Sequence, residues 1–455
     1  MKSKLLAALF LCALPLGAWA QAAHYQPNWA SLNQRPIPQW FDQAKFGIFI
    51  HWGVYSVPAF ADPHAHGGEA YAEWYWYHMH NKNGPTWAFH VRTYGADFHY
   101  QDFVSQFTAK LFDPAQWADL FVRSGARYVV LTSKHHEGFC LWPCPANWNW
   151  NSVDVGPHQD LAGELSKAVV ARGLKMGFYY SLYEWYDPLY LNHPHRYVTE
   201  HMLPQMKNLV ERYHPSILWT DGEWAHSSSF WKSTQFLAWL FNDSPVKDQI
   251  VVNDRWGKET RGHDGGFYTT EYGKVDGTLP DYTGVHKWEE CRGIGKSFGY
   301  NRMETASDYK SAAQLIHLLV DTVSQGGNLL LDIGPTADGR IPVIMQERLL
   351  EIGQWLQVNG EAIYSSRPWR QASEGDVRYT TRDGAVYAIA ESWPGRELVL
   401  SAPKPNRTAT VTLLGSDTPL KWRESGGKLH IELPPLGAPS VAPAAAYVFK
   451  LAGVE

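Results

Sequence analysis

Asp221 directly follows the apolar run Ile217-Leu218-Trp219-Thr220 and directly precedes Gly222. A carboxylate in that position suits the mouth of a buried sheet better than a core, although a helix N-cap is the plainer reading of the same residue. It is one of several such placements. His51-Trp52-Gly53 follows Phe46–Ile50, and Lys134-His135-His136-Glu137-Gly138-Phe139 closes the run that opens with Tyr128–Leu131. Tyr179-Tyr180-Ser181 ends the run from Lys175, and Asn253-Asp254-Arg255-Trp256 follows Ile250–Val252. Ionisable and hydrogen-bonding groups thus recur where apolar runs stop, which scattered surface residues would not do. A lone histidine in such a place is more often a hydrogen-bonded supporting group than a ligand, and Trp and Tyr are more often core. The pair His135-His136, with His51 as a third ligand, invites a metal. Neighbouring strand residues, however, point to opposite faces, so two in a row rarely hold one ion.

The elements that must position these groups alternate. Six short apolar runs, at Phe46–Ile50, Tyr128–Leu131, Lys175–Tyr179, Ile217–Trp219, Ile250–Val252 and Leu329–Leu331, are separated by amphipathic stretches such as 114–124, 161–172 and 203–213. Continuous apolar strands between helices indicate a parallel sheet covered on both faces. That many units over ~290 residues predicts a (β/α) barrel of TIM type, whose active site lies at the C-terminal ends of the strands, where the polar clusters fall. No glycine-rich phosphate loop follows any run, so no dinucleotide or other cofactor is expected. After a helix-like stretch at 342–358 the period changes to two. Val377–Thr381, Ala385–Ile389, Thr408–Thr412, Lys428–Glu432 and Tyr447–Leu451 alternate between Gly and Pro turns, which predicts a C-terminal antiparallel β-sandwich. The expected division is a signal peptide over 1–20, a catalytic barrel over 21–366 and a sandwich over 367–455.

The first of those segments shows Lys2 and Lys4, an apolar stretch from Leu5 to Leu16 and the small-x-small site Ala18-Trp19-Ala20. It reads as an export signal cleaved after Ala20, giving a periplasmic or secreted protein; no later stretch is long and apolar enough to span a bilayer. Of four cysteines, Cys12 leaves with the signal. Cys140, Cys144 and Cys291 remain, and Cys140 and Cys144 could staple one small loop or stay as buried thiols, three being too few for a structural zinc site. Forty Lys and Arg against 45 Asp and Glu give a net charge of −5, which removes nucleic acid as a partner. The 455 residues include 22 Trp, 24 Tyr and 19 Phe, more rings than a core needs, and flat apolar rings are what sugar faces stack on.

Several strings occur together in one order: Lys45-Phe46-Gly47-Ile48-Phe49-Ile50-His51-Trp52-Gly53, Ala72-Glu73-Trp74-Tyr75, Ser133–Phe139, Trp219-Thr220-Asp221-Gly222-Glu223-Trp224, Val252–Trp256, Lys287-Trp288-Glu289 and Gly326–Pro335. In these the chain resembles the α-L-fucosidases of glycoside hydrolase family 29 across the whole of the expected barrel. The resemblance implies an exo-acting retaining hydrolase that removes terminal α-L-fucose from oligosaccharides or glycoconjugates through a covalent fucosyl-enzyme. It implies Asp221 as nucleophile, and His51, Glu73, Trp74, His135, His136, Tyr180, Trp219 and Arg255 as the fucose pocket, with no metal. Trp219 and Asp221, two apart, leave their strand on one side. For the acid/base the resemblance points to Glu271, with Glu289 and Glu290 as rivals. Two other functions remain open at this point: a sugar-binding barrel that has lost its chemistry, and a metal-dependent hydrolase using the histidines. The oligomeric state is not legible.

Overall fold

Apolar runs buried at every position can satisfy their backbone only in a sheet covered on both sides, and that is what they form. The computed structural model describes residues 24–272, 286–416, 418–437 and 444–455, so the expected signal peptide lies outside the described residues. Eight parallel strands follow in chain order: β1 (Phe46–Ile50), β2 (Tyr128–Lys134), β3 (Lys175–Ser181), β4 (Ile217–Asp221), β5 (Val251–Val252), β6 (Tyr268–Glu271), β7 (Trp288–Gly293) and β8 (Asn328–Ile333). Their order in space is β5-β4-β3-β2-β1-β8-β7-β6. The two ends of this sheet meet through a parallel bridge between Asn253 and Phe267, with Phe267 N donating to Val252 O at 3.0 Å, so the sheet curls into the expected TIM-type barrel.

Strand alternation sorts the side chains. Phe49, Tyr128, Val130, Tyr179, Ile217, Trp219, Val251, Cys291 and Leu330 fill the barrel interior. Their neighbours, among them Ile48, Ile50, Val129, Leu131, Phe178, Tyr180 and Leu331, join the layer under the helices. Gly47 is glycine because a Cβ there would lie 2.3 Å from the Tyr128 ring, which crosses the barrel floor. The covering helices start where carboxylates cap them: Asp113 accepts from Ala115 N and Gln116 N ahead of helix Pro114–Arg123, and Asp160 accepts from Gly163 N ahead of helix Leu161–Ala171. Pro342 stands one residue earlier than its sequence suggests, as the N-cap of helix Val343–Asn359.

Two strands had no apolar run to announce them. Thr269, Thr270 and Glu271 make up most of β6, and Glu289, Glu290 and Arg292 occupy half of β7. These polar groups are accommodated by pairing: Arg292 bonds Glu290 Oε1 at 2.5 Å, and Glu289 accepts from Tyr128 and Trp219. The C-terminal strands are β9 (Arg367–Glu374), β10 (Val377–Arg382), β11 (Ala385–Ala390), β12 (Glu397–Leu400), β13 (Pro405–Leu413), β14 (Trp422–Ser425), β15 (Lys428–Glu432) and β16 (Tyr447–Val454). They form antiparallel sheets β13-β16-β11-β10-β9 and β12-β15-β14 around their own apolar core, the expected sandwich. Helix Ala312–Ser324 and the sandwich are joined by an Arg378–Asp321 ion pair and by His317 Nε2, which donates to Ala445 O at 2.8 Å. Cys140, Cys144 and Cys291 are buried free thiols, so the loop between Cys140 and Cys144 carries no staple.

Candidate active site

Asp221 is the last residue of β4, and the turn that follows is fixed by Gly222, whose φ of +72° places it in the left-handed region. A Cβ on Gly222 would meet the Tyr183 Cβ at 2.6 Å, so this position cannot carry another residue without moving the chain behind Asp221. Asp221 therefore projects into the barrel mouth on a rigid turn. Its Oδ1 accepts from Arg255 Nη1 at 2.8 Å and lies 3.8 Å from Arg261 Nη2; its Oδ2 accepts from Tyr179 Oη at 2.9 Å. Burial opposes ionisation of this carboxyl. The Arg255 guanidinium outweighs that cost and, with Arg261 behind it, holds Asp221 well below the usual carboxylate range.

Arg255 also pairs with Glu271, the last residue of β6, through the same Nη1 that binds Asp221. Two hydrogen bonds from one nitrogen, each ~3 Å or less, keep the two carboxylate oxygens within ~6 Å of each other. Thr269 Oγ1 accepts from Arg255 Nε at 2.9 Å, and the guanidinium lies 4.4 Å over the Trp219 ring, so the arginine is locked from three sides. Its exposure is only 1%. Arg255 thus stands behind the two carboxylates and not on the pocket wall, where the sequence resemblance had put it.

Above them a pocket is lined by His51, Glu73, Trp74, His135, His136, Trp219, Asp221 and Glu271, all named from sequence. Tyr180 is absent from it. The Tyr180 side chain points out of the barrel and donates to Gln205 Oε1 at 2.6 Å, while its neighbour Tyr179 points in. The reason is strand parity: Tyr179 pairs in register with Trp219, so both share the inner face with Phe49. Tyr179 replaces Tyr180 in the site. Tyr71, Arg261 and Phe298 also line the pocket and were not found from sequence. They lie on loops between elements, where no periodicity marks an inward residue.

His51, His136 and Glu73 are held from behind. His51 Nδ1 meets Asp332 Oδ1 at 2.6 Å, which leaves Nε2 as the ring nitrogen that can reach a ligand. His136 Nδ1 meets Ser181 Oγ at 2.6 Å; that hydroxyl donates to Tyr183 O at 2.7 Å, so His136 carries its proton on Nδ1 and offers Nε2 as an acceptor. Burial pushes both His51 and His136 well below the ordinary imidazole range, so both are neutral. Glu73 Oε2 accepts from Gly299 N at 2.8 Å and Ser297 Oγ at 3.2 Å, and burial raises its pKa against these bonds. His51, His135 and His136 do not gather as ligands of one ion. Among the described residues the grouping close enough for that is Glu184, Asp187 and His201, away from this pocket, and Glu184 is already paired with the Lys134 ammonium at 2.5 Å.

The rival carboxylates lie elsewhere. Glu290 faces the outer layer and pairs with Arg292. Glu289 sits beneath Trp219, accepting from Tyr128 Oη at 2.5 Å and from Trp219 Nε1 at 3.0 Å, at 1% exposure. Burial pushes its pKa up from 4.5 to about 7, against the effect of those two donors. The folded state therefore holds a proton that the unfolded chain has lost between those values. This contribution is complete below about 4.5 and is lost as pH rises through about 7. Glu289→Gln imitates the protonated acid at every pH. Urea unfolding at pH 5 and pH 8 should show the variant gaining roughly 2–3 kcal/mol relative to the parent at the higher pH, with little difference at the lower. Equal pH dependence in both proteins would show that Glu289 is ionised in the fold.

Comparison with known proteins shows the family. Residues 12–361 match the family model described as alpha-L-fucosidase, and residues 370–452 match the alpha-L-fucosidase C-terminal domain. The chain is 48% identical over 445 residues to tissue alpha-L-fucosidase of Homo sapiens, covering 95% of this chain and 92% of that protein. It is 47% identical to alpha-L-fucosidase of Dictyostelium discoideum, covering 96% of each. Among solved structures, Thermotoga maritima alpha-fucosidase in complex with a mechanism-based inhibitor superposes with a TM-score of 0.81 at 38% identity, covering 94% of this chain and 99% of that one.

Proposed function

The chain belongs to the α-L-fucosidase family of glycoside hydrolases, and from that premise we propose that it releases terminal α-L-fucose with retention of configuration, Asp221 acting as nucleophile and Glu271 as acid/base. The substrate is a fucosylated glycan, and no helix of the described residues is long and apolar enough to cross a membrane. The observation that carries the mechanistic reading is the single Arg255 nitrogen shared by Asp221 and Glu271. Retaining enzymes keep their two carboxyl groups ~5–5.5 Å apart, and inverting enzymes need ~6.5–9.5 Å to admit a water. Two carboxylates bridged by one nitrogen, with their nearest oxygens no more than ~6 Å apart, favour the first class. The Thermotoga relative, solved with a mechanism-based inhibitor, is consistent with it.

The chemistry follows from charge. A retaining mechanism divides the roles of its two carboxyl groups, one attacking as a carboxylate and the other delivering and then removing a proton. Asp221, with Arg255 and Tyr179 on its oxygens, is the ionised partner. Glu271, whose side chain is 32% exposed at the pocket edge, is the one that can protonate a departing glycan oxygen. Asp221 attacks the anomeric carbon, the glycosidic C–O bond breaks, and the leaving oxygen takes the Glu271 proton. Esterified Asp221 has no charge, so Arg255 then faces the Glu271 carboxylate alone and stabilises it for its second task, removing a proton from water. His51, Glu73, His135 and His136 suit the sugar hydroxyls, and Phe298, Tyr71 and Trp219 suit its apolar face and methyl group.

The test is to follow hydrolysis of an aryl α-L-fucoside by proton NMR at high enzyme concentration. α-Fucose is the expected first product, with the β anomer growing in later by mutarotation. β-Fucose first would overturn retention. A protein that binds fucose and releases none would be a sugar-binding barrel instead.

A further inference from the structure

Trp74 lines two cavities at once. One is the pocket above Asp221; the other is an open trough of about 840 Å³ that starts at the same indole and runs outward past Gly68, Trp76 and Tyr77. We propose that this trough binds the sugar residues to which the fucose is attached, and that its ligand is a neutral oligosaccharide. The inference rests on the fucosidase reading above, because it takes the fucose to lie in the first cavity.

Three features argue for a glycan surface. First, the rings are exposed where a solvated helix would place polar groups: Tyr77 is 52% exposed and Trp224, facing Trp74 across the pocket mouth at 6.4 Å, is 41% exposed. An exposed aromatic group beside a cleft is the surface a pyranose C–H face covers. Second, the rings are held rigidly, so little ordering is left for the ligand to bring about. Trp76 lies parallel to Trp185 at 5.8 Å and against His80 at 4.3 Å. His80 Nδ1 donates to Trp76 O at 2.6 Å, and His78 Nε2 donates across the trough to Gly68 O at 2.9 Å. Third, the polar lining is chosen for hydroxyls and not for acids. Glu69, Asn81 and the imidazoles of His66, His78 and His80 can accept and donate hydrogen bonds there, the one carboxylate would repel an acidic sugar, and no Lys or Arg lines the trough to pair with a sialyl or sulfated one. The continuity through Trp74 supplies a path: a glycan whose fucose enters the pocket can leave it over this ring into the trough.

The proposal separates small from large leaving groups. Tyr77→Ala and Trp76→Ala should lower kcat/KM for fucose linked to a lactose unit by about tenfold. The same variants should stay within about twofold of the parent on an aryl fucoside, whose leaving group does not extend that far. Tyr77→Phe, which keeps the ring, should restore oligosaccharide turnover. Lactose itself should inhibit aryl fucoside hydrolysis by the parent about tenfold more strongly than by Tyr77→Ala. The exposed Tyr77 makes its variant the decisive one even if Trp76→Ala folds poorly. Parent-like kcat/KM of Tyr77→Ala on the lactose-linked substrate, or an equal fall on both substrates with unchanged lactose inhibition, would overturn the trough as a binding site. A parent protein that releases fucose from neither substrate would fail the fucosidase reading instead, and lactose binding followed by tryptophan fluorescence would still decide the trough.

Discussion

Asp221→Ala is expected to lower turnover of an aryl fucoside by about 10⁴-fold or more while the protein still folds. The fold should survive because the lost side chain faces the pocket, and because Arg255 keeps Glu271 and Thr269 as partners and so is not left as an unpaired buried charge. Tyr179 loses its acceptor but still packs against Trp219 at 5.7 Å. The variant leaves a vacancy on the face of the sugar from which the nucleophile attacks. Azide can enter there, and an activated aryl group can leave without much help. The expected product is the β-fucosyl azide, formed by a single inversion. Circular dichroism melting checks the fold, and proton NMR of the azide checks the stereochemistry. Parent-like turnover in a folded variant would remove Asp221 from the mechanism, and an α-fucosyl azide would mean that another group still forms the covalent intermediate.

What made Asp221 legible is instructive about the rest of the chain. A carboxylate at the end of a buried run, followed by glycine, has few structural uses, and the structure supplies the reason for the glycine in its left-handed turn. The barrel was legible for the same reason: six of its strands contain a continuous apolar run buried on both faces, which only a doubly covered sheet tolerates. β6 and β7 were not, because Glu271, Glu289, Glu290 and Arg292 break the apolar pattern, and only the fold shows the pairings that accommodate them: Glu290 with Arg292, Glu271 with Arg255, and Glu289 with donors on other strands. Glu289 illustrates this: its donors Tyr128 and Trp219 are 161 and 70 residues away. Tyr180 failed on a one-residue matter of parity. In Tyr179-Tyr180 both residues are aromatic, so no alternation distinguishes inside from outside, and only the register with Trp219 decides. Arg261 and Phe298 come from loops, and their positions depend on tertiary contacts such as the Arg261 bond to Glu223 at 2.6 Å.

Glu271→Ala should lose about 10³-fold on a natural fucoside and far less on an activated aryl fucoside. A sugar alkoxide is a poor leaving group and must be protonated as the bond breaks; an activated phenolate need not be. The first half-reaction of the aryl substrate therefore survives, and fucosyl-enzyme accumulates because no base remains to deprotonate water. Azide needs no deprotonation and should restore turnover of the aryl substrate. Here Asp221 still occupies one face of the sugar, so azide must attack from the other, and two inversions give the α-fucosyl azide. The two alanine variants should thus yield azides of opposite configuration, which a nonspecific loss of activity would not produce. Glu289→Ala gives no such signature under this assignment. Its carboxyl lies under Trp219, bonded to Tyr128 and to that indole, so its removal unseats the pocket floor and should weaken both substrates alike. Glu290 points to the outer layer and pairs with Arg292, beyond reach of the sugar. Azide rescue at position 289 and none at 271 would transfer the acid/base role to β7. It would also mean that the Trp219 ring moves aside during turnover, since it covers Glu289 and donates to it.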